Sequence, residues 1–272
     1  MTAKTSKETS DREKACRFVL AALSQQSQEL SQKLQALYQP FLDEGDPVPD
    51  FLGTLTALGR GIKKAILEVI RADTVLFTAN AALAATRQAR SDRTADLSRL
   101  IIGLRQACNA LFRDLSVQEL GFDQRTAQDP VPLLIQAERI VERLRGGSAS
   151  EVEHVFEGDD FDPARYADQI EQKAAGLREA LDAFVEARRH SEKVMLEKRA
   201  LTGEYDTLFL HGARTFESYC RLVGKADLAD RVRPSESRKG RTEIEPEETG
   251  SEPGAEPKPN TEGMTETDER GN

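Results

Sequence analysis

Eight apolar residues, Leu58, Ile62, Ala65, Val69, Ala72, Leu76, Ala79 and Leu83, recur at alternating intervals of four and three. A strand would scatter them over both of its faces, whereas an α-helix gathers all eight into one seam. A seam sustained over this length has to be covered by another helix. The same spacing recurs later in the chain. Ile170, Ala174, Leu177, Leu181, Phe184, Arg188, Ser191 and Met195 repeat the pattern.

The two series coincide at a shift of 112 residues, which places Asp50 on Asp162, Leu58 on Ile170, Val69 on Leu181, Leu83 on Met195 and Cys108 on Cys220. The parts around them also repeat in order. A tandem duplication of one helical unit is therefore expected.

Start and stop signals set the rest. Ser10 with Glu13 has the capping-box spacing, in which each side chain satisfies the other residue's free backbone N–H, and predicts the first helix start. Leu23, Leu30, Leu34, Leu37 and Phe41 line that helix until the Asp, Gly and Pro residues of 43–49 end it. Asp50 caps the second helix. The polar stretch Ala89 to Asp92 predicts a reversal, after which Leu97, Leu100, Ile101, Leu104, Cys108, Leu111, Phe112 and Leu115 complete an antiparallel hairpin. Ser116 and Glu119 predict one more short helical turn before Gly121.

Asp129–Pro130 and Asp162–Pro163 are cap and first-turn pairs, because proline's missing N–H costs nothing in a helix's first turn. The first opens a shorter helix carrying Leu133, Leu134, Ala137, Ile140, Val141 and Leu144, with Gly146 and Gly147 ending it; an acidic linker over 148–161 follows. The second opens the other long helix, for which a break is expected at Thr202 and Gly203 before Tyr205, Phe209, Phe216 and Cys220 resume the pattern. The expected fold is all-α: an antiparallel long-helix bundle with coiled-coil character. Its parts are a disordered stretch over 1–9, a first unit over 10–121, a second over 122–233 and a disordered acidic tail over 234–272.

Charge supports that division. The net charge of −9 is concentrated after residue 233, where 11 acids face 5 bases, while residues 1–233 hold 36 acids and 33 bases. After Ser235 the only sizeable apolar residues are Ile244 and Met264, too few to offset the ~1–2 kcal/mol per residue that ordering a backbone costs. No apolar run approaches the ~20 residues that span a bilayer. Three cysteines, Cys16, Cys108 and Cys220, widely spaced and odd in number, fit a reducing compartment, and the cytosol is expected.

Chemistry is thinly represented. A carboxylate-bridged metal bundle needs two Glu-x-x-His turns, and only Glu151 with His154 has that spacing. Glu157, Asp159, Asp160 and Asp162 crowd four carboxylates without the order of a calcium loop. Glu186 with His190 reads as an exposed hydrogen-bonded pair, and His211 as a residue packed on its helix flank. Gly59-Arg60-Gly61 lacks the preceding strand and following lysine of a phosphate loop. No catalytic residue, metal ligand or cofactor is expected, and the chain is not read as an enzyme.

One asymmetry points outward. Residues 50–113 hold 10 bases and 5 acids, whereas 146–186 hold 11 acids and 3 bases. Arg87, Arg90, Arg93 and Arg99 flank the expected reversal and would there contact an anion or partner; without interleaved aromatics, nucleic acid is disfavoured. The expected function is a protein-interaction or scaffold module with a protein partner, itself a monomer or a homodimer. The alternatives are a metal- or ligand-binding bundle, or weak anion or nucleic-acid binding through the arginines.

Overall fold

The computed structural model describes residues 5–111, 118–122, 125–146 and 161–244. It is all-α: α1 (Lys7–Tyr38), α2 (Phe51–Leu111), α3 (Pro130–Arg145), α4 (Pro163–Leu222) and α5 (Ala226–Val232), with a 3-10 turn at Gln39–Phe41 and a π turn at Gln118–Phe122. The helices α2 and α4 have 61 and 60 residues, so each is ~90 Å long at about 1.5 Å per residue. They pair antiparallel along their length. Asn80 meets Ser191, Asp73 meets Lys198 and Asp96 meets Lys173.

Both proline starts are realised. Pro130 follows Asp129, and Pro163 follows Asp162, whose carboxylate accepts from the Arg165 N–H at 3.1 Å. Asp50 caps α2 by accepting from the Gly53 N–H at 2.7 Å. The first helix begins at Lys7 rather than at Ser10, because Ser6 is anchored to Asp73 by its backbone N–H and its hydroxyl. The expected disorder over 1–9 thus fails for residues 5–9.

Two expected interruptions are absent. There is no reversal at Ala89 to Asp92 and no break at Thr202 and Gly203, and both stretches are helical throughout. Neither contains proline, and their polar side chains are used within the helix. Gln88 donates to Asp92, the Thr94 hydroxyl to the Arg90 carbonyl, and the Thr202 hydroxyl to the Lys198 carbonyl. The expected hairpin is therefore one helix, and its antiparallel partner is α4.

Buried apolar residues fall into two clusters. The near bundle takes α1, the start of α2, the end of α4 and α5, around Val19, Leu30, Ile62, Tyr205, Phe209 and Phe216. Gly212 permits the closest approach there, since a Cβ on it would meet the Ile62 Cδ1 at 2.8 Å. The far bundle takes the end of α2, the π turn, α3 and the start of α4, around Leu97, Ile101, Leu133, Ile140 and Leu177. Each cluster draws on both halves of the chain. Between them no residue of 80–96 or 178–190 is buried, which leaves a neck of two bare helices ~25 Å long.

The tail expected to be disordered from residue 234 begins as structure. Residues 233–244 fold back as a strap, with Pro234, Ser235, Gly240 and Thr242 buried. Ser235 N–H donates to the Arg241 carbonyl and Glu243 N–H to the Arg233 carbonyl, both at 2.8 Å. Residues 245–272, and residues 147–160 with all of the expected acidic linker but Phe161, lie outside the described residues.

Candidate functional site

The strap closes over the polar part of the near bundle. Tyr205 lies on the α4 seam and is fully buried, so its hydroxyl needs a partner. It finds two, the carbonyls of Arg12 at 3.2 Å and Gly240 at 3.3 Å. Gly240 has φ +70°, and a Cβ there would sit 2.1 Å from the Asp206 Oδ1, so glycine is required. Arg12 grips Asp206 through Nε at 2.9 Å and a terminal nitrogen at 3.1 Å, and Arg241 reaches Asp11 at 2.9 Å. Between α4 and the strap lies a hollow of about 490 Å³, with Phe209, Leu210 and Pro234 on its apolar side and Asp206, Arg214 and Lys239 on its polar side.

A second polar cluster joins α1, α2 and α4. Asp73 receives the Lys198 ammonium, the Ser6 N–H and the Ser6 hydroxyl. Burial works against the Asp73 charge, but those donors outweigh it and hold the carboxyl below its ordinary range. Sequence reasoning missed both clusters. The available signal was position, since Lys198 and Tyr205 continue the intervals of three and four from Met195.

Burial pushes the thiols of Cys16 and Cys108 up to about 12 and that of Cys220 to about 11, and all three are buried as small apolar groups. Burial, with Cys16 and Asp206 nearby, also raises the Tyr205 phenol. Among the described residues no three His, Cys, Asp or Glu side chains gather as a metal site. Glu151, His154, Glu157, Asp159 and Asp160 lie outside those residues, and Asp162 serves as the α4 cap. Glu186 pairs with Arg189 at 2.8 Å instead of with His190, and His190 and His211 are both exposed.

The four arginines all lie on the unbroken α2, at or beside the neck. Arg90 stacks on the Phe184 ring at 4.3 Å, Arg93 lies along α4 where Gly176 has no side chain, and Arg99 pairs with Asp96 at 2.8 Å. Arg87 is exposed. Two of the four thus bind α2 to α4, and no reversal gathers them into one cluster.

Exposed apolar side chains lie at the α1–α2 connection. Phe41 is 81% exposed, and Leu37, Tyr38, Val48 and Leu52 are also exposed, with Asp43, Glu44 and Asp46 between them. On α3 at the opposite end, Val131 and Ile135 are exposed one turn apart. No helix among the described residues is long and apolar enough to cross a membrane. No protein-family model, curated protein or solved structure matches the chain.

Proposed function

We propose that the protein is a non-enzymatic scaffold, a rod that holds two helical bundles apart and engages protein partners at its tips. The observation that carries this reading is the neck. The two long helices, of 61 and 60 residues, share buried residues on either side of the neck, and a stretch with no buried residue separates the two groups. A chain selected for compactness would fold that stretch onto itself, because bare helix exposes backbone and apolar surface without return. Exposed Phe41 and Val48 at one tip, and Val131 and Ile135 at the other, supply apolar anchors of the kind that dominate interfaces.

A photocrosslinking residue placed at position 41 in living cells tests this. A discrete protein adduct is expected, lost when Val48→Asp is added while the thermal transition is unchanged. No discrete adduct from position 41 or from position 135 would overturn the scaffold reading.

We also read the architecture as a duplication. Each long helix is preceded by a shorter one that packs at the start of its own long helix. At the shift of 112, Leu97 and Phe209, Leu104 and Phe216, and Cys108 and Cys220 are buried in both copies. A chain of residues 1–121 should then self-associate as an antiparallel pair. A strictly monomeric species in light scattering would count against it.

A further inference from the structure

The acidic segment that follows Ile244 has a place to go. We propose that it folds back onto a cationic cleft between α4 and the strap, so that the chain occupies its own surface there. The cleft consists of the 490 Å³ hollow and an adjoining one of about 370 Å³; the two share Arg214, Pro234 and Glu236.

Its acids are already engaged. Asp206 is held by Arg12, Glu217 by Arg221, and Glu236 lies 3.4 Å from Arg214. Arg221 is doubly committed, to Glu217 and to Asp230. Arg233 and Lys239 are different: both are exposed and neither has an ion-pair partner among the described residues. Arg214 is only loosely occupied, since its pair with Glu236 is long and more than half exposed on both sides. Two unpaired cations, Arg233 and Lys239, and one loosely paired one, Arg214, therefore share that face.

The geometry of departure selects the occupant. Glu243 donates to the Arg233 carbonyl at 2.8 Å, so the chain leaves the strap beside one of the free cations. The next 28 residues hold nine acids and two bases, beginning with Glu245, Glu247 and Glu248. Four residues of extended chain reach ~13 Å, enough to return to the cleft. Each contact is weak and exposed, but a tethered partner acts at an effective concentration of about millimolar, so several weak contacts suffice. The neck arginines compete poorly, because Arg90 sits over Phe184, thirty residues along α4 from Arg214 and thus ~45 Å away.

The test uses the full chain with Thr261→Cys carrying a paramagnetic label; the native cysteines are buried, so labelling is selective. In low salt the label should broaden the amide signals of Arg214, Ser218, Arg233 and Lys239. That broadening should fall about three-fold or more in ~0.5 M salt, where charges are screened within a few ångströms. The same fall is expected in Arg233→Glu with Lys239→Glu, and in Glu245→Gln with Glu247→Gln and Glu248→Gln, which leaves every described residue untouched. Broadening equal in all of these would mean that the segment is near the cleft only because it is tethered there, and would overturn the proposal.

Discussion

The near and far bundles solve the same packing problem with different means. The near bundle buries four aromatics, Phe51, Tyr205, Phe209 and Phe216, and adds polar contacts that are themselves sheltered, Arg12 with Asp206 and Lys198 with Asp73. The buried core of the far bundle is aliphatic apart from Phe122, with Phe161 and Tyr166 half-buried against it, and it is stapled by exposed pairs, Arg145 with Asp168 and Glu171, and Arg178 with Glu138. Exposed pairs contribute ~0–1 kcal/mol each. The far bundle also carries a cost, because the Thr126 hydroxyl and the Gln136 amide nitrogen are buried with no hydrogen-bond partner among the described residues. The difference teaches that sheltered polar contacts reinforce the near core while only exposed ion pairs reinforce the far one, so the far end should open first.

The strongest way to break this contrast is a pair of core truncations. Phe209→Ala should cost ~3–5 kcal/mol and Ile140→Ala ~2–5 kcal/mol. Calorimetry should show the first lowering the main transition and the second splitting off an earlier one. If both shift a single transition equally, the rod melts as a unit.

Next in size is Asp73→Asn, which leaves Lys198 partly buried beside a neutral group and should cost ~3 kcal/mol at neutral pH. The folded-state pKa of Asp73 is depressed, so its contribution is full above the unfolded value of ~4 and is lost as pH falls through the folded value. Glu29, held at about 2 chiefly by Lys225 and then by Lys33, has the same sign between about 4.5 and 2. Urea midpoints at about pH 7 and 3 should converge between wild type and Asp73→Asn as the pH drops; a constant gap would refute the linkage.

A third measurement needs no substitution. Because all three thiols are buried and protonated, alkylation reports opening, and mass spectrometry should find Cys108 modified before Cys16 and Cys220. The reverse order would invert the comparison. The smallest effects sharpen it: Tyr205→Phe should cost ~1 kcal/mol by removing the hydroxyl shared between the Arg12 and Gly240 carbonyls. Arg90→Ala in the neck should cost no more than ~1 kcal/mol in denaturant titration.

The seams of α2 and α4, the Asp-Pro starts and most core residues were legible because each follows from backbone periodicity and local capping. The continuity of the helices was legible too, but polar residues disguised it. Counting on from Leu83 by three and four passes Thr86, Arg90 and Arg93 and lands on Leu97, and from Met195 passes Lys198 and Thr202 and lands on Tyr205. Arginine and lysine can hold a seam position with their apolar stems, so their charge does not mark a turn. The strap was hidden for another reason. Its order comes from backbone contacts with Tyr205 and from Arg241 with Asp11, partners more than 30 residues away that no local pattern reveals.

The pairing of Asp73 with Lys198 has a consequence for length. A seam of small and aliphatic residues tolerates sliding by one heptad, ~10 Å, but such a slide would strand a buried carboxylate away from its ammonium and Asn80 away from Ser191. The polar contacts thereby act as the detent of a calliper. Seven residues added to both helices of the neck would keep the phase and lengthen the gauge by one step, while seven added to one alone would jam it. What these contacts set is then a fixed distance between the two bundles.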